Sequence, residues 1–134
     1  MRSGLVSALV GAVVSLGLAY PAFGYDAGTI ANPRVKYEDG KVMFVVGVQN
    51  TLSGRLEGAL CVAMFDADGF EVDRFRVGST FNLGKSEEAD IADSWNMTPD
   101  VYDDVVRLDF YLAPYCMATG ADLLSSVTSI EKPK

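Results

Sequence analysis

From residue 25 to the end, hydrophobic positions recur mainly with a period of two, the spacing of a strand with one buried face. No stretch sustains a helical period. Lys41 to Asn50 is the cleanest case: Val42, Phe44, Val46 and Val48 share one parity, and Lys41, Met43, Val45, Gly47 and Gln49 share the other. Leu56 to Asp66 is different. Its centre, Leu60-Cys61-Val62-Ala63-Met64-Phe65, is apolar on both parities, which predicts a strand covered at least in part on both faces. Asp66-Ala67-Asp68-Gly69 predicts a type I turn with Gly69 left-handed in a bulge. Phe70 to Val77 then returns as hairpin partner and edge strand. Val105 to Ala113 sets Val106, Leu108, Phe110 and Leu112 against Arg107, Asp109 and Tyr111, the pattern of a half-buried antiparallel strand.

Weaker signals fill the gaps. Tyr25 to Asn32 reads as a polar lead-in, and Arg34 to Tyr37 as a short edge strand after Pro33. Gly78 to Gly84 reads as a loop with Phe81 and Leu83 as plugs. Glu88 to Trp95 alternates, but Asp93 breaks its apolar parity. Asn96 to Asp104 predicts a turn or a single helical turn around Pro99, and Ala121 to Ile130 a last strand. Six or seven short strands with turn signals between them describe an all-β chain, an antiparallel β-sandwich.

The first 24 residues stand apart. One positive charge at Arg2 precedes an apolar stretch from Leu5 to Leu18, followed by Ala19-Tyr20-Pro21-Ala22-Phe23-Gly24. That is the layout of a secretory signal, with Ala22 and Gly24 at the small-residue positions before a cut. The expectation is a signal peptide over 1–24 and one domain over 25–134. The apolar run is shorter than the ~20 residues of a spanning helix. Cleavage would leave 110 residues, and the formal charge would move from −7 to −8 as Arg2 departs. The product would be exported, periplasmic or secreted.

Composition then narrows the chemistry. The chain has 11 Lys and Arg against 18 Asp and Glu, and no His. An acidic chain without clustered cations argues against nucleic-acid binding. The missing His removes Ser-His-Asp and Cys-His nucleophiles and His-ligated zinc.

Several motifs resemble a known family. Phe44-Val45-Val46-Gly47-Val48-Gln49-Asn50 resembles the opening strand of FxLYD-type, immunoglobulin-like domains of bacterial exported proteins, which commonly read G-x-V-x-N before a loop. Val62-Ala63-Met64-Phe65-Asp66-Ala67-Asp68-Gly69 resembles the family's signature strand and hairpin, with Val62, Met64 and Phe65 where the pattern has Phe, Leu and Tyr. Leu83-Gly84 stands at a turn that often carries Pro in the family. The resemblance covers roughly Lys41 to Ile91, about half of the chain expected after cleavage. It implies an immunoglobulin-like sandwich with Leu60, Val62 and Met64 inward and Cys61, Ala63 and Phe65 outward. It carries no shared catalytic residues.

Candidate chemistry follows from that frame. Export places Cys61 and Cys116 in an oxidising compartment, where a pair forms a disulfide. In such a sandwich the strand around Cys61 and the strand ending at Ala113 are antiparallel neighbours, so Cys116 comes within reach. Trp95, Tyr102 and Tyr111 are the candidate partner surface, since exposed aromatics mark contact sites; Tyr115 is a further aromatic candidate. The functional expectation is an exported, non-catalytic binding or accessory module of the cell envelope, without a cofactor. It would engage an envelope protein partner through a sheet edge, Phe70 to Val77, and loop aromatics. Two alternatives use other residues. One is a metal-binding protein, with calcium on acidic loops such as Asp66-Asp68-Gly69 or Cu(I) on Met97, Met117 and Cys116. The other is a small hydrolase using carboxylates from Glu87, Glu88, Asp90 and Asp93, or from Asp100, Asp103 and Asp104.

Overall fold

A computed structural model describes residues 26–133. The expected signal segment and its cut after Gly24 lie outside the described residues. The elements are β1 (Gly28–Glu38), β2 (Lys41–Asn50), β3 (Leu56–Phe65), β4 (Glu71–Leu83), β5 (Glu88–Asn96), a short helix α1 (Pro99–Asp104), β6 (Arg107–Ala113), a 3₁₀ turn (Gly120–Asp122) and β7 (Thr128–Glu131). Three strands form one sheet in the order β1-β2-β5, and four form the other in the order β4-β3-β6-β7. All pairings are antiparallel. This is the seven-stranded β-sandwich that the alternation predicts.

Inward parity builds the core. Val42, Phe44, Val46 and Val48 of β2 face Leu60, Val62 and Met64 of β3 and Leu108, Phe110 and Leu112 of β6, all buried. Phe44 makes edge-on contacts with Phe75 and Phe110, at centroid distances of 5.7 and 6.0 Å. Each large side chain removed from water here stabilises by roughly 1.5–3 kcal/mol.

Two strands run longer than the pattern suggests. β1 starts at Gly28, because a bulge between Ala31 and Arg34 carries the chain past Asn32 and Pro33 and restores the pairing with β2. Asn32 sits there at φ 50°, a left-handed conformation that Asn tolerates. β4 continues through Gly78 to Leu83, so Phe81 and Leu83 are buried strand residues rather than loop plugs. Its register against β3 shifts between Gly58 and Leu60. The last strand is shorter than expected, only Thr128–Glu131. Before it, the buried Ser125 hydroxyl accepts from the Leu112 N–H and donates to the Ser126 carbonyl.

One buried polar side chain organises an end of the sandwich. Asn50 closes β2, and its Nδ2 donates to the carbonyls of Gly54, Leu83 and Gly84 at 2.7, 3.1 and 2.8 Å. Its Oδ1 accepts from Leu52 N–H at 2.8 Å. The side chain thus ties the β2–β3 loop to the end of β4. Asn50→Ala strips a donor from these carbonyls and should cost about 2–3 kcal/mol, a fall in Tm of roughly 10 °C or more. Thermal unfolding of the variant within about 2 °C of the parent would contradict this role.

Candidate functional site

The outer face of the four-stranded sheet is where the two-sided apolar pattern of β3 acts. Ala59, Cys61, Ala63 and Phe65 point away from the core, beside Ala113, Tyr111, Asp109 and Arg107 of β6. The alanines leave a shallow floor. After Pro114 the chain folds back across it, and Cys116 bonds to Cys61 with the Cα atoms 5.5 Å apart. Ala59, Cys61, Ala63, Tyr111, Ala113 and Ala118 form a second buried cluster, with Phe65, Cys116 and Leu123 packed on it. The expected disulfide is therefore present, on the outer face rather than between the sheets.

Polar groups hold the same loop. The Tyr111 hydroxyl donates to the Cys116 carbonyl. It accepts from Arg74 Nη1 at 2.6 Å. Glu71 Oε1 in turn accepts from Arg74 Nη2 and Nε at 2.6 and 3.1 Å. These bonds set the charges. The hydrogen bond to Glu71 raises Arg74 above its ordinary value, and the bond from Arg74 lowers the Glu71 carboxyl. Burial raises the Tyr111 phenol, with Arg74 opposing. The pair therefore stays ionised and the phenol neutral across physiological pH.

The loop so held presents its own side chains outward: Tyr115 is 59% exposed and Met117 73%. Beside it opens a cavity of about 160 Å³ lined by Ala63, Phe65, Tyr111, Leu123 and Val127 among others.

Of the three aromatics expected to form a partner surface, Tyr102 and Tyr111 are corrected by this arrangement, and Trp95 is exposed. Tyr111 has the outward parity predicted for it, yet it is only 3% exposed, because the stapled loop covers it. Tyr102 is 8% exposed: α1 turns it inward, where it stacks on Tyr37 with centroids 4.2 Å apart. Lys132 Nζ lies 4.6 Å from the Tyr102 ring and donates to its carbonyl at 2.9 Å. Trp95 is 40% exposed; one face of its indole stacks on Phe75 at 4.2 Å. The three residues occupy separate environments. Tyr115 is among the aromatics the sequence offers and Met117 among its Cu(I) candidates, but they lie in a segment with no period, so alternation does not show that both are exposed on one held loop. The available signal was indirect: a strand apolar on both parities needs a cover, and the segment carrying Cys116 supplies it.

Three of the carboxylates named as metal or catalytic candidates, Asp66, Glu87 and Asp93, accept hydrogen bonds from the backbone. Asp66 Oδ1 accepts from the N–H groups of Asp68 and Phe70 at 3.0 and 2.9 Å, which closes the hairpin turn around Gly69 at φ 85°. Glu87 Oε1 accepts from Gly84 N–H. Asp93 explains its break in parity: Oδ2 accepts from Gly78 N–H of β4 and Oδ1 from Ser94 N–H, each at 2.8 Å, so it bridges the two sheets along an open flank. Among the described residues no group of three or more Cys, Asp or Glu is placed to hold a metal ion. Cys116 is oxidised, Met97 is buried and Met117 faces water, so the Cu(I) set is not assembled.

The β4 edge, expected to receive a partner strand, is largely self-capped. Arg74 N–H donates to Asp73 Oδ1, Gly78 N–H to Asp93, and Arg76 Nε to the Gly78 carbonyl.

Two outcomes test the loop's anchoring. The bridge spans 55 residues of sequence; replacing both cysteines with Ala should lower stability by about 4 kcal/mol in the chain-entropy account. Chemical denaturation showing no loss would contradict it. Burial raises the phenols of both Tyr102 and Tyr111. Above about pH 10 the unfolded chain releases protons that the native state retains, so stability should fall as pH rises through that range. Tyr111→Phe should flatten the fall between roughly pH 9 and 11. An unchanged slope in denaturant titrations at the two pH values would contradict it.

Comparisons place the chain by fold. No family model matches it, and no curated protein matches it. Among solved structures, it is similar to an alkylpurine DNA glycosylase AlkC from Pseudomonas fluorescens bound to DNA containing an abasic site analog. The TM-score is 0.51 at 12% identity over 81% of this chain, which spans 31% of the glycosylase. A DUF1425 family member from Shewanella sp. aligns with TM-score 0.47 and 9% identity, covering 69% of this chain and 81% of its own. A β-glucosidase from Kluyveromyces marxianus in complex with glucose gives 0.47 and 14%, covering 82% of this chain and 14% of its own. At these identities the glycosylase likeness supports the sandwich fold alone.

Proposed function

We propose that the protein is an exported, non-catalytic binding or accessory module of the cell envelope, which engages a protein partner through the stapled loop Pro114–Ala118. The supporting observation is a contrast within that loop. A disulfide and the Tyr111–Arg74–Glu71 chain fix its backbone, while Tyr115 and Met117 are turned into water. Apolar anchors on a preorganised backbone lose little conformational freedom on binding, and such residues are enriched at interface hot spots. The disulfide suits an oxidising compartment. No helix among the described residues is long and apolar enough to cross a membrane. The FxLYD-type resemblance points the same way, to an immunoglobulin-like domain of an exported protein.

Affinity capture from envelope extract, followed by titration of the captured protein, tests the reading. Tyr115→Ala and Met117→Ala should each weaken binding about tenfold, or ~1.4 kcal/mol. Their thermal unfolding should stay that of the parent, because neither side chain is buried. A partner that binds both variants as tightly as the parent would refute the loop as the interface.

A further inference from the structure

Four strands carry the edges of the two sheets: β1 and β5 in one, β4 and β7 in the other. Three are protected. The Asn32–Pro33 bulge interrupts β1, Asp73 and Asp93 occupy donors of β4, and β7 is only 4 residues long. β5 pairs with β2 in unbroken register from Gln49–Glu88 to Lys41–Asn96. Asn50 N–H donates to Glu87 O and Met97 N–H to Gly40 O, and antiparallel bonding alternates residue by residue. Ala89, Ile91, Asp93 and Trp95 therefore bond to β2, while Glu88, Asp90 and Ala92 turn their N–H and C=O groups outward. Asp93 caps the next outward donor, Ser94 N–H, and the β4 bulge at Gly78 meets β5 at Ile91 and at the Ala92 carbonyl, so the open stretch ends at the Ala92 N–H.

We propose that the Glu88–Ala92 edge receives an extended, basic segment of a partner protein by strand addition. This deepens the binding-module reading and rests on it. Charge selects the occupant. Glu88 and Asp90 are exposed on this edge, with Glu87 adjacent, and among the described residues the one cation paired with them is the solvated Arg34, 3.9 Å from Asp90. A second copy of this edge would bring like charges together, whereas alternating lysines on an incoming strand would lie opposite the carboxylates.

The probe is a short synthetic peptide alternating lysine and valine, with a glutamate–valine peptide as control, titrated into the oxidised protein and followed by amide NMR. The lysine peptide should shift and protect the Glu88, Asp90 and Ala92 amides, and raised salt should weaken it. The glutamate peptide should leave them unchanged. Asp90→Pro removes an outward N–H without taking a bond from the β2 ladder and should abolish binding. Glu88→Lys combined with Asp90→Lys keeps the backbone and should weaken the lysine peptide at least about tenfold by charge alone. Equal binding of the two peptides, full binding by the charge variant, shifts confined to β4, or self-association of the parent through β5 would each overturn the proposal. Because the probe is synthetic, the outcome is independent of whether Tyr115 and Met117 engage an envelope partner.

Discussion

Burial of β3 on both faces is the constraint on which the rest depends. A strand apolar on both parities cannot leave one side in water, and a seven-stranded sandwich covers only one. The inner side chains Leu60, Val62 and Met64 meet β2 and β6 in the core. The outer ones, Cys61 and Ala63, need a separate cover, and the chain after Pro114 provides it. That segment has no strand or long helix of its own to hold it. Covalent attachment to Cys61 and hydrogen bonds to its Cys116 carbonyl take that part. The small floor residues Ala59, Ala63 and Ala113 permit the close approach.

The flanks show a complementary economy of side chains. Asp93 sits on the inward parity of β5, where an apolar residue would extend the core. Its carboxylate instead satisfies donors from both sheets, which links β4 to β5 without a continuous ladder. Gly78, at φ 73°, has no room for a side chain there, since a Cβ would lie 2.8 Å from Ile91. On the other flank, Ala27 and Gly28 N–H both donate to the Leu124 carbonyl, so the covering segment also fastens the start of β1. Loop, disulfide and sheet closure are thus one connected arrangement.

Much of this was legible in the residues, because alternation records which side of a strand is dry. The core parity of β2 and β3, that of β6 from Leu108 onward, and the cover over β3 follow from it, whereas Val106, expected on the inward parity, precedes β6 and is exposed. The Asp66–Gly69 turn follows from its turn residues, and the cysteine pair from two counts and a compartment. Aperiodic segments were opaque. Outward parity at Tyr111 is correct yet says nothing of a loop laid above it, and Tyr102 is buried by a six-residue helix too short to show a period. The Asn50 bonds reach carbonyls about thirty residues away, which no local pattern encodes. A bulge between Ala31 and Arg34 hides the register of β1, so alternation marks only its second half. Of the aromatics the sequence offers, Tyr102 and Tyr111 are buried, while Trp95 and Tyr115 are exposed, the latter beside Met117 on the fixed loop.

Residue-resolved hydrogen exchange of the oxidised and the disulfide-reduced protein tests the central claim most directly. With the bond intact, amides of Cys61 to Met64 and of Tyr111 to Ala113 should exchange slowest, and the Ala118 amide, bonded to the Tyr115 carbonyl, should be protected. Reduction should release Ala118 and speed exchange in the rows beneath it, while β2 keeps its protection. Unchanged exchange on reduction would mean that the staple does not hold the cover. Rapid exchange of Cys61 to Met64 in the oxidised protein would mean that β3 is not the doubly buried centre of the fold.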